Sequence, residues 1–170
     1  MALPSVLKHF NVFNDAKSYL GIVETIKLPK LARKFEDYRA GGMDGPVSID
    51  LGQEKLEAEL ECGGIMEQVF SQYGTTKVDG VMLRFAGSYQ RDDTATVQAV
   101  EVVMRGRHQE LDMGDAKGGD KGKFAVKSSL TYYKLTIDNK VLIEIDLLNM
   151  IFIVNSVDML QEHRKAIGMA

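Results

Sequence analysis

The stretch from Leu28 to Gly52, LPKLARKFEDYRAGGMDGPVSIDLG, limits the possible folds more than any other part of the chain. A charged, extended run leads into a glycine-punctuated arm. Gly41, Gly42 and Gly45 allow backbone turns closed to other residues, and Pro46 stiffens the return. None of these side chains forms a catalytic constellation. An exposed charged strand beside a long polar loop is a liability for an isolated domain, because free strand edges template unwanted pairing. Such a segment implies a partner outside its own domain.

The rest of the chain reads mostly as strand. Asn11 to Phe13 and Tyr19 to Lys27 are apolar-rich around the turn formers Asn14 and Asp15, which predicts a hairpin. Pro29 removes a ladder donor and puts that strand at an edge or kink, and Leu31 to Tyr38 continues extended. The cleanest alternation follows: Leu56, Ala58, Leu60 and Cys62 against Lys55, Glu57, Glu59 and Glu61. A short helix places Ile65, Met66, Val69, Phe70 and Tyr73 on one face. Alternation resumes at Val81, Leu83, Phe85 and Tyr89. Two long strands, Thr94 to Asp112 and Lys123 to Asp138, flank a polar hairpin tip. In the first of them the apolar phase shifts at Ala99–Val100, either through a bulge or because its two ends are buried on different faces. Asp138-Asn139 predicts a tight turn, Leu147 to Val154 is expected to pack in the interior and against a C-terminal helix, and Asp158 to Ile167 reads as that helix, with Arg164 and Lys165 exposed on it. The expectation is one mostly-β domain, a barrel or sandwich with one or two short helices.

Length and composition agree with this. The 170 residues suit one domain with a sizeable core, and 45% hydrophobic with 26% charged content is ordinary for a globular chain. A net charge of −3 has the wrong sign for an electrostatic nucleic-acid binder, so no sequence-specific DNA binding is expected. The single cysteine, Cys62, makes no internal disulfide. No secretory signal or membrane span is evident, so the chain is expected to be soluble and assembled in the cytoplasm.

A search for chemistry finds no site. His9, His108 and His163 lack partners at metal-ligand spacing and are read as surface or interface groups; Cys62 lacks a CxxC companion. Gly122-Lys123 imitates a phosphate loop, but Lys117 stands where the first glycine belongs, Phe124 replaces the magnesium-binding hydroxyl, and the loop joins two strands instead of opening a helix. Asp112, Asp115 and Asp120 miss the calcium-loop spacing. Met82, Met104, Met150 and Met159 read as core filler. No catalytic residue, cofactor or metal is expected.

Four pieces, in order along nearly the whole chain, carry a resemblance: NVFND (Asn11 to Asp15), LPKL (Leu28 to Leu31), YRAGGMDGPVSIDLG (Tyr38 to Gly52) and IDLLNMIFIVNSVDML (Ile145 to Leu160). In these the chain resembles the major tail tube proteins of contractile phage tails and the tube subunits of R-type bacteriocins. The resemblance implies six subunits joined in a ring around a continuous inner β-barrel, with rings stacked into a hollow tube. It further implies a sheath outside, a tape-measure protein and then DNA in the lumen (no DNA in the bacteriocins), and a baseplate and tail terminator at the ends. By the same likeness, residues 38–52 are an arm reaching the neighbouring ring. Tyr38, Arg39, Gly41, Gly42, Met43, Asp44, Gly45, Pro46 and Val47 form it, with Met43 and Val47 as apolar plugs. Glu57, Glu59 and Glu61 are lumen candidates, with Lys30, Lys34 and Glu36 facing the same channel. A solvated outer face fits that charged row equally well. Two other readings stay open on sequence alone: a secreted ring of a type VI secretion system, and a soluble barrel holding a small apolar ligand.

Overall fold

A computed structural model describes residues 1–169. Its strands are β1 (Ser5–Asn14), β2 (Lys17–Ser18), β3 (Val23–Lys27), β4 (Arg33–Tyr38), β5 (Val47–Gln53), β6 (Leu56–Cys62), β7 (Val81–Arg91), β8 (Val97–Asp112), β9 (Phe124–Ile137), β10 (Lys140–Asp146), β11 (Ile151–Val154) and β12 (Val157–Asp158). Two short helices, α1 (Glu67–Gln72) and α2 (Gln161–Ala166), complete the described residues. The mostly-β expectation with two small helices therefore holds.

Ten strands form one antiparallel sheet in the order β12-β11-β10-β9-β8-β7-β1-β2, with β6 on β9 and β3 on β6. Strand β9 is long enough to carry two neighbours end to end on one edge: β6 along Phe124–Leu130 and β10 along Tyr132–Ile137. Its other edge holds β8. The sheet encloses one apolar core, with Val12, Leu56, Leu60, Leu83, Phe85, Met104, Phe124 and Val126 fully buried. Helix α1 closes one side through Met66 and Val69, and Phe70 stacks on Phe124 at 5.1 Å.

Alternation set the best-read strands. In β6 the apolar residues are buried and the charged ones half-exposed without exception. Asp138 and Asn139 both take positive φ, 48° and 65°, as a two-residue hairpin turn of primed type requires.

Other expectations need correction. Strand β1 starts at Ser5, well before Asn11, because pairing with β7 through a bulge at Lys8 overrides a weak local pattern. Tyr19 to Lys27 is not one strand: β2 is two residues, Tyr19 turns into the core, and β3 pairs with β6. Ile65 and Tyr73 are exposed because α1 is too short to include them. There is no bulge at Ala99–Val100; Val97 and Ala99 face outward, and the irregularities of β8 lie at Arg105/Gly106 and His108/Glu110. Leu147 and Leu148 do not pack inside. The Asp146 carboxylate accepts the backbone N–H groups of Leu148 and Asn149 at 3.1 and 3.3 Å and holds them in an outward turn. Helix α2 buries no residue, Met159 is exposed, and Arg164 is bound to Asp158 and to the Met150 carbonyl instead of being free.

Candidate functional site

Among the described residues, 33–53 form a hairpin that pairs with no other strand: β4 and β5 make a two-stranded sheet of their own. The segment read as a loop arm from Tyr38 to Gly52 is thus the tip and returning leg of a β-hairpin whose other leg starts at Arg33. Strand β5 went unread because glycine and proline dominate the residues before it, although Val47, Ile49 and Leu51 alternate with Ser48 and Asp50. In the register, Tyr38 opposes Val47 and Glu36 opposes Ile49. Directly paired residues share a face, so Tyr38, Val47, Ile49 and Leu51 lie on one side. They are 54%, 54%, 45% and 51% exposed. Phe35 is exposed on the opposite face, level with Asp50.

The tip is tied internally. Gly42 sits at φ +87°, a conformation that glycine alone adopts freely. The Met43 N–H donates to the Ala40 carbonyl at 3.2 Å, Arg39 Nε donates to the Met43 carbonyl at 3.3 Å, and the Met43 sulfur lies 3.2 Å from the Ala40 nitrogen. Met43 is therefore folded back over the tip and half-buried, less prominent than Val47. Gly41, Asp44, Gly45 and Pro46 complete the turn. At the root, Arg33 bridges hairpin and body: Nε binds Asp50 at 3.0 Å while the guanidinium lies 4.9 Å from the Phe152 ring centroid. That hydrogen bond lowers the Asp50 pKa.

Glu57, Glu59 and Glu61 share the outer face of β6. They do not form a bare acidic row. Glu57 pairs with Lys55 at 2.9 Å and with Lys127 at 3.7 Å, Glu61 with Lys123 at 3.9 Å, and Glu59 stands opposite Lys127 across the ladder. The hydrogen bond from Lys55 is the main cause holding the Glu57 carboxyl below its usual range. Lys30 joins Glu57 and Glu59 around a cleft of about 470 Å³. Lys34 and Glu36 lie on β4, in the separate two-stranded sheet.

The family model for phage tail tube protein FII matches residues 4–168. The chain belongs to this tail tube family. It is 48% identical to the tail tube protein of Escherichia phage P2 over 99% of this chain and 100% of the relative. It is 42% identical to the major tail tube protein of Serratia phage KSP20 over 89% and 88%. Among solved structures, the extended PVC sheath–tube complex of an extracellular contractile injection system matches with TM-score 0.58 at 9% identity, covering 75% of this chain and 88% of that one. The baseplate of the anti-feeding prophage matches with TM-score 0.51 at 12% identity, over 81% and 97%. The fold is shared with tube assemblies far beyond recognisable sequence.

One feature of this tail tube chain went unread in the sequence. His108 is not a surface group. It is 6% exposed, with Nδ1 3.0 Å from Ser128 Oγ and Nε2 3.0 Å from Gln72 Oε1. The Asp15 carboxylate accepts from Gln72 Nε2 at 3.2 Å and so fixes which way that amide points. Gln72 Oε1 then accepts from His108 Nε2–H, leaving Nδ1 to accept from Ser128. Gln72 also exchanges hydrogen bonds with Asn14 at 2.7 and 2.8 Å, which locks α1 to β1 and β8. Burial pulls the His108 pKa down from 6.5 to about 4. The unfolded chain therefore takes up a proton in this window that the folded chain refuses. Stability is full above pH 6.5 and falls as the pH drops towards about 4, by up to about 3 kcal/mol. Urea titrations between pH 7 and 4 should show this slope, and His108→Gln should flatten it. An unchanged slope in the variant would remove His108 as its source.

Proposed function

We propose that this chain is the structural subunit of the inner tube of a contractile phage tail, and that it works by assembly without catalysis. Copies close into hexameric rings around a shared inner barrel, and the rings stack through the hairpin of residues 33–53. A sheath packs outside, a baseplate and terminator bound the ends, and the lumen carries a tape-measure protein and then DNA. Assembly takes place in the host cytoplasm, and the finished protein resides in the virion tail. The family membership across nearly the entire chain carries this reading. The projecting hairpin supports it physically: a two-stranded sheet with an exposed apolar face is marginal alone in water, so a partner that covers it stabilises it.

A ring contact repeated head to tail closes on itself, whereas a ring-on-ring contact continues without limit and gives a filament. In this reading Glu57, Glu59 and Glu61 line the lumen with Lys30, as a near-neutral face of paired charges. Lys34 and Glu36 travel with the arm.

Negative-stain electron microscopy of the purified chain at increasing concentration tests the assembly: rings with a central hole, or stacks of them, are expected. Gly42→Pro forces φ near −65° on a residue now at +87°. Met43→Asp places a charge in the tip turn. Both variants should give folded protein and intact rings, but stacking reduced at least tenfold. Normal tubes from both would remove the arm from the stacking contact.

A further inference from the structure

The hairpin's apolar face is a row of large side chains, and the same chain presents a surface of the opposite relief. On the outer face of β1, β7 and β8, residues His9, Asn11, Ala86, Ser88 and Ala99 lie side by side through the pairings His9↔Ser88, Asn11↔Ala86 and Ser88↔Ala99. These are mostly small groups, and they floor a shallow trough of about 400 Å³. Two exposed apolar residues also line it: Leu20, 68% exposed, and Val97, 57% exposed.

Sheets pack face to face about 10 Å apart, and they interdigitate best when large side chains on one meet small ones on the other. Tyr38, Val47, Ile49 and Leu51 supply the large partners. Charge fits as well. The trough is bordered by the ion pair Arg84–Glu101 at 3.6 Å. The hairpin face that carries Val47 and Ile49 also carries Glu36, directly opposite Ile49, with Lys34 two residues along the strand, so each surface offers one acid and one base to the other. Among the described residues, no Asp, Glu, Lys or Arg lines the trough itself.

We infer that the β1–β7–β8 trough is the socket that receives the apolar face of the β4–β5 hairpin from a second copy of this chain, with Val47, Ile49 and Leu51 seated over Ala86, Ser88 and Ala99. The inference rests on the reading of the hairpin as the stacking arm. It adds the receiving surface and identifies which of the hairpin's two faces is seated.

Cysteine pairing tests it with little background, because Cys62 is buried and burial raises its thiol pKa to about 11. Tubes assembled from full-length Ile49→Cys/Val97→Cys chain should give a ladder of linked multimers with a short thiol–thiol crosslinker. Ile49→Cys paired with Leu148→Cys, exposed elsewhere, should give none. Ala99→Arg, at an exposed floor position, should leave rings intact and reduce stacking at least tenfold. If Ala99→Arg stacks normally and only the Leu148→Cys pair links, the socket lies elsewhere and the arm reading survives. If Ile49→Asp itself stacks normally, the arm reading fails and the socket falls with it.

Discussion

Gly106→Ala should destabilise this protein by about 4 kcal/mol or more, a large share of the roughly 5–15 kcal/mol that holds a typical domain folded. A Cβ at this position would stand 2.0 Å from the Ser129 carbonyl oxygen and 2.8 Å from the Leu130 Cα. Both obstacles are backbone, so no side chain can swing away. Relief requires opening the β8–β9 ladder where β9 also switches neighbours from β6 to β10. Gly118→Ala is the matched control: nothing lies within 4 Å of its added carbon and its φ is not in the left-handed region. It should change stability by less than about 0.5 kcal/mol. Thermal and urea unfolding followed by circular dichroism measures both. Comparable stability of the two variants would mean that β8 and β9 do not approach this closely.

The second large effect concerns assembly alone. Val47→Asp/Ile49→Asp should leave the unfolding curve of the isolated subunit nearly unchanged, since both side chains already face water. In the proposed stacking contact each buries the remaining half of its apolar surface, worth about 1 kcal/mol. Two carboxylates sealed against small apolar groups without partners add a penalty larger than that gain. Every subunit of a ring repeats the loss, so tubes should disappear at any accessible concentration while rings persist. Sedimentation velocity separates the two species. Tubes of normal length from the double variant would place stacking on another surface.

These two sites show what a sequence can and cannot reveal. Gly106 sits in MRGRH, where a glycine between basic residues looks like a weak point in a strand. Its necessity comes from a carbonyl more than twenty residues away, and no local pattern encodes that approach. His108 was hidden for the same reason: its partners Ser128 and Gln72 come from other elements. Strand β6, by contrast, was legible residue by residue because its alternation, seven residues long, matches one buried and one wet face. The arm fell between these cases. Its glycines and Pro46 announced a turn correctly, but they masked β5, whose apolar side chains point at no core of their own and so gave no reason to pair it with β4. The charged row was found, yet its partner Lys127 on β9 became visible only with the ladder register.

The hairpin's separation from the main sheet also has a kinetic consequence. A unit joined to the body mainly through Arg33 and its neighbours opens and closes on its own, at a cost far below that of global unfolding. In a free subunit its amide protons should exchange early and its tip should be the first place a protease cuts. Seated on another copy, the same amides become slow. Ordering of the arm is then paid for only at the growing end of a filament, which disfavours stray pairs of subunits in solution and favours elongation from an end that already exists.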